Sequence, residues 1–139
     1  MITQGVRVRD RCDACGGTVV RDVGQFFEGG ALGWGSEGHC EDCSHGWCEQ
    51  DSGPVTPEDI RQVLLQAHGA VRLRLSGRTP RAVGVLRALR GTREVSLAAA
   101  RVQAAQLAGD GLVGTLVEME ILAVHLRRQN ITVDIEPVA

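Results

Sequence analysis

At 139 residues, 43% hydrophobic and 23% charged, the chain has room for one ordinary domain or two very small ones, with the composition of a folded globular protein. No stretch approaches the roughly 18 consecutive apolar residues of a membrane span, and residues 1–10 lack the apolar core of a secretory leader, so a cytoplasmic protein with no membrane partner is expected. The net charge of −2 hides an asymmetry, because residues 1–59 carry four arginines against eleven carboxylates and residues 60–139 carry eleven arginines against six. The acidic first part is thus a poor candidate for wrapping phosphates. All 15 basic residues are arginine. GC-rich coding accounts for that bias, yet it leaves every cationic contact able to be planar and bidentate.

In chain order, the first feature is a pair of knuckles. Cys12-Asp13-Ala14-Cys15 and Cys40-Glu41-Asp42-Cys43 are two C-x-x-C motifs separated by the 24 residues 16–39. Two-residue spacing lets both sulfurs of a knuckle reach one tetrahedral ion at about 2.3 Å, and two such pairs close its shell. A closed shell leaves no position for water or substrate, so the ion expected here is a structural Zn2+. The same cage would accept iron, and disulfides would need an oxidising compartment. His39, His45 and Cys48 stand close by; the simplest reading leaves the histidines solvated and Cys48 a small buried residue, and the other has one of them join the site or act as a thiol beside the metal. This double-knuckle pattern resembles the zinc ribbons, in which each knuckle caps a hairpin, over roughly residues 8–52.

Gly33-Trp34-Gly35-Ser36-Glu37-Gly38 matches the G-x-G-x-x-G of dinucleotide sites. That motif needs a helix to follow it, and here a knuckle follows, so a glycine-rich hairpin is expected instead. All four aromatic residues, Phe26, Phe27, Trp34 and Trp47, lie in this first part. The tryptophans read as core of a domain too small to fold on burial alone, or else as exposed anchors for a partner.

The polar cluster Asp51-Ser52-Gly53-Pro54 marks a boundary, giving a zinc ribbon over 1–52, a connecting helix over 53–69 and a further domain over 70–139. Thr56-Pro57-Glu58-Asp59 starts the connecting helix, which carries Ile60, Val63, Leu64 and Ala67 and ends at Gly69. Val71, Leu73 and Leu75 alternate with Arg72 and Arg74 as in a half-buried strand. Thr79-Pro80 opens a helix bearing Ala82, Val85, Leu86 and Leu89, and Ser96 caps another over 97–107. Leu112-Val113 is a weaker strand, Thr115-Leu116-Val117-Glu118 is a capping box, and Ile131, Val133 and Ile135 alternate in a last strand. The fold class is therefore α+β, a zinc ribbon and a helix followed by a compact β-α-α-β-α-β domain with its helices on one face of a small sheet.

Over residues 71–135 the residues Val85-Leu86-Arg87-Ala88-Leu89-Arg90-Gly91, Val95-Ser96-Leu97-Ala98-Ala99-Ala100-Arg101 and Glu120-Ile121-Leu122 through Leu126 resemble the C-terminal domain of the bacterial ribosomal stalk protein. The N-end-rule adaptor of the Clp protease shares that fold. The stalk domain captures translation-factor GTPases with basic residues on its first two helices, and Arg87, Arg90 and Arg101 fall on those positions. A fourth basic position falls on Ala82, next to Arg81, and the glycine that begins the second helix is Ser96 here. Asn130 stands where the family has glycine, and asparagine also tolerates a left-handed helix end. The family's dimerising arm and hinge have no counterpart; the zinc module takes their place.

Catalysis is not expected, because the four histidines (39, 45, 68 and 125) are scattered and show no nucleophile–base spacing. The leading expectation is a non-enzymatic protein-binding or adaptor protein. Arg87, Arg90 and Arg101 would form its partner-binding surface, facing an acidic protein such as, by resemblance, a translation-factor-like GTPase. The plainer alternative for these arginines is a solvated helix face. An immunity or antitoxin protein covering a cognate toxin with its acidic part is a second reading. A nucleic-acid-associated zinc ribbon is a third, and the acidic balance counts against it.

Overall fold

The computed structural model describes residues 2–77 and 81–138, and these are α+β, with seven strands in two antiparallel sheets and four helices. Two compact units divide the chain, Met1–His68 and Gly69–Ala139.

The first unit is a four-stranded meander in the order β1-β2-β3-β4, made of Ile2–Arg11, Thr18–Glu28, Ala31–Cys40 and Gly46–Ser52. Gly29 and Gly30, at φ 61° and 83°, make the tight turn between β2 and β3, where two successive positive φ values suit the right-handed twist of a hairpin. The glycine-rich stretch 33–38 belongs to a hairpin, as the sequence suggested, and lies within its second strand, β3. Glycine normally weakens a strand because nothing packs on it. Here the Phe26 ring lies over Gly33 and the Trp47 ring over Gly38, so two of these gaps are filled by aromatic neighbours across the strands.

Helix α1, Glu58–His68, follows the meander and packs on its sheet. Its buried Ile60 and Leu64 meet Val23, with Val6, Trp34 and Val63 around them. The helix expected to connect the two parts is thus tied into the first. Gln25, almost wholly buried, donates from Nε2 to the Thr56 hydroxyl at 2.8 Å, and His68 Nε2 donates to the Gly5 carbonyl at 2.8 Å, fixing both ends of the helix to the sheet.

The second unit has the expected β-α-α-β-α-β succession: β5 Val71–Leu75, α2 Ala82–Arg93, α3 Leu97–Ala108, β6 Leu112–Gly114, α4 Leu116–Arg128 and β7 Val133–Pro137. Its sheet runs in the order β6-β5-β7, all antiparallel. With no aromatic residue available, the core is aliphatic: Leu73, Leu89, Leu107, Leu122 and Leu126 are almost completely buried around Met119. Two of the caps read from the sequence are present. Ser96 Oγ accepts from the Ala99 amide, and Thr115 and Glu118 form both bonds of a capping box. Asn130 sits in the left-handed region at φ 59°. Thr79 and Pro80, the expected start of α2, lie outside the described residues; Arg81 occupies the cap position without a side-chain bond.

Candidate metal centre

In a meander, the turn between β1 and β2 and the turn between β3 and β4 fall at the same end of the sheet. The long gap between the knuckles follows from this, since the chain runs out along the 11 residues of β2 and returns along the 10 of β3. The register pairs Val19 with Cys40, which sets one knuckle beside the other. The result is a cluster in which the sulfurs of Cys12, Cys15, Cys40 and Cys43 all lie within 4.8 Å of one another.

Zinc–sulfur bonds of about 2.3 Å in a tetrahedron require sulfurs about 3.8 Å apart. Cys12 and Cys43 are at 3.8 Å, and Cys15 and Cys40 at 3.5 Å. Both separations suit the edges of such a tetrahedron and are far longer than the about 2.05 Å of a disulfide, so the disulfide alternative is set aside. Backbone amides point at the sulfurs as well: Gly17 N donates to Cys15 at 3.3 Å, Asp42 N to Cys40 at 3.3 Å and His45 N to Cys43 at 3.4 Å. These bonds favour thiolate. Without a cation the four sulfurs compete for that charge. The Asp42 amide, and then Cys15, bring Cys40 down to about 7. The Gly17 amide acts the same way on Cys15 but is outweighed by the neighbouring thiols, Cys40 foremost, and by burial, so that Cys15 is pushed up to about 12. A divalent ion removes the conflict by taking all four as thiolates. Four sulfurs in this arrangement are a structural zinc site, and the residues fit the ion.

The neighbouring candidates stay out of the cage. His39 and His45 are exposed, and the His45 ring instead lies tilted against Trp47, with centroids 5.7 Å apart. Cys48, expected to be buried, is exposed: it lies on the edge strand β4, and its cross-strand neighbour is Glu37, which is itself exposed. Trp47 is half-buried, packs against Cys12, Val19 and Cys40, and donates from Nε1 to Ser36 at 3.3 Å; Trp34 is likewise half-buried, against the cluster that α1 forms with Val23.

In the second unit, Arg87 and Arg90 are brought together on α2, three residues apart on one helix edge. They line an open groove of about 490 Å³ with Val83, Leu86, Gly91 and Leu97, where α2 meets the start of α3. Val83 is 64% exposed and Leu97 41%, so the groove presents apolar surface to solvent. Arg101 is also exposed, one turn beyond Leu97 on α3, and is not among the lining residues. Sequence reading expected these arginines to flank an aliphatic helix edge, but did not single out Val83 and Leu97 as its exposed residues. Leu97 is spaced three residues before the buried Ala100 and so reads as core, whereas Val83 falls off the buried face of Val85, Ala88 and Leu89. His125 is half-buried and donates from Nδ1 to the Ile121 carbonyl at 3.0 Å, as a core histidine would.

Fold and site together define a small α+β protein with a zinc-ribbon-like sulfur cage. No helix among the described residues is long and apolar enough to cross a membrane. The chain matches no protein-family model, no curated protein and no solved structure. Its functional reading therefore rests on its own geometry.

Proposed function

We propose that this chain is a non-enzymatic protein-binding or adaptor protein, with the zinc holding a scaffold and the α2–α3 groove docking an acidic partner. One juxtaposition carries the reading. Arg87, Arg90 and Arg101 are exposed and have no ion pair among the described residues, and Arg87 and Arg90 line a groove with exposed Val83 and Leu97. Two of the three border exposed apolar side chains. An apolar floor with a cationic rim suits a partner that inserts aliphatic groups and places carboxylates around them, the charges serving mainly to steer and orient.

The β-α-α-β-α-β order is in keeping with the likeness to the ribosomal-stalk domain. A translation-factor-like GTPase is accordingly the first partner class to test, and a toxin the second. The test is affinity capture from native cell extract with salt titration of what is retained. Arg87→Glu/Arg90→Glu, which places two charges of the wrong sign on the rim, should weaken capture by about 30-fold or more, the scale of a hot spot worth at least about 2 kcal/mol. Arg90→Glu/Arg101→Glu should do the same if α3 shares the surface. Capture that survives both pairs, with melting temperature and zinc content unchanged, would sink the reading.

A further inference from the structure

Beyond the four sulfur ligands, the geometry points to Asp42 as the positioning residue that locks the two zinc knuckles together. Asp42 is bonded to both halves of the cage. Its amide donates to Cys40 Sγ at 3.3 Å, and its carboxylate Oδ2 accepts from the Thr18 amide at 2.9 Å. Thr18 directly follows Gly17, whose own amide donates to Cys15 Sγ at 3.3 Å. A continuous path therefore runs from Cys40 sulfur through Asp42, across one charge-assisted bond, to Thr18, Gly17 and Cys15 sulfur. The sulfurs at its two ends lie 3.5 Å apart.

Two further observations support this role. Glu41 N donates to the Thr18 carbonyl at 2.8 Å, so the Glu41-Asp42 dipeptide grips both backbone polar groups of Thr18. A Cβ placed on Gly17 would lie 2.8 Å from Asp42 Cβ, closer than real contacts allow, so residue 17 must be glycine for the carboxylate to reach. The exposed Arg9–Glu41 ion pair at 2.9 Å spans the same gap, but at that exposure it contributes little. A carboxylate beside four thiolates is electrostatically unfavourable, so its placement here needs a compensating role. Ordering the ligands before the ion arrives is such a role, because residues that orient metal ligands change affinity by about 10- to 100-fold when removed.

The experiment uses full-length protein loaded with zinc, with affinity read by competition against a chromophoric chelator. Cobalt substitution in parallel reads the coordination. Asp42→Ala should bind zinc about 10- to 100-fold more weakly while its cobalt form keeps the absorption of a four-sulfur tetrahedral site. Asp42→Asn, which keeps an oxygen acceptor, should stay within a few-fold of wild type. Gly17→Ala, which displaces the carboxylate without removing it, should weaken zinc as Asp42→Ala does. An Asp42→Ala protein that loads no zinc, beside an Asp42→Asn protein that loads normally, is the same result in its extreme form. The assignment is overturned if Asp42→Ala holds zinc within about 3-fold of wild type, or if Asp42→Asn loses as much as Asp42→Ala. Either of those results would leave the four-cysteine site itself intact.

Discussion

A thiol becomes a metal ligand only where the backbone turns it toward the others, and the five cysteines here divide on that criterion. Four occupy knuckles at one end of the meander, while Cys48 points off an edge strand into solvent. Cys40→Ser should therefore reduce bound zinc from about one ion per chain to a small fraction, since a three-sulfur remnant leaves the shell open. Cys48→Ser should leave the metal content unchanged. Elemental analysis of the purified variants checks both, and zinc lost with Cys48→Ser would place that thiol in the site after all. The ligand set was legible from spacing, because the two-residue knuckle is a local geometry that needs no knowledge of the fold. The exposure of Cys48 was not, because it depends on what covers that face of β4.

At the level of the elements, the helices of the second unit followed local rules. Ser96, Thr115 with Glu118, and Asn130 all act within one turn of their own position, and each is found where chemistry next to it in sequence requires. The glycines of β3 obey a different logic, set by partners on other strands. Gly38 takes an ordinary strand conformation, so an alanine there would gain up to about 1 kcal/mol from the unfolded chain if it fitted. It does not fit: its Cβ would come 2.8 Å from Trp47 Cζ2, and that ring is held by the bond to Ser36 and by packing on the cage. Overpacking of this kind costs about 1–3 kcal/mol and outweighs the gain. Gly38→Ala should lower stability by that amount in urea unfolding and shift the tryptophan emission to the red; a stabilised variant would show that the ring moves freely.

For the whole molecule, the two units draw their stability from different sources. The second buries a continuous aliphatic core, whereas the first has two small apolar clusters, one of which is built on the sulfur cage itself. Below about 70–80 residues such cores rarely suffice alone, and a structural metal makes up the difference. Zinc sites of this type carry roughly 10–16 kcal/mol of apparent binding free energy. Even a small part of that, about 3 kcal/mol, moves the melting of a domain this size by more than about 10 °C. Stripping the protein with a strong chelator should lower the transition seen by tryptophan fluorescence by at least that much. Both tryptophans belong to the first unit, so the signal reports that unit alone. An unchanged transition would mean that the sheet and α1 hold without the ion.

By itself the sequence determined the closed sulfur shell, the α+β class, the helix starts at Ser96 and Thr115 and the order of elements in the second unit. Each of these depends on residues within a few positions of one another, where periodicity and side-chain chemistry act directly. Tertiary structure alone decided the rest: which glycines lie under aromatic rings, that α1 belongs to the first sheet, that Val83 and Leu97 stay uncovered beside Arg87 and Arg90, and that Asp42 reaches Thr18. Those relations join residues far apart in the chain, and strand register and helix packing, which no short window of sequence encodes, bring them together.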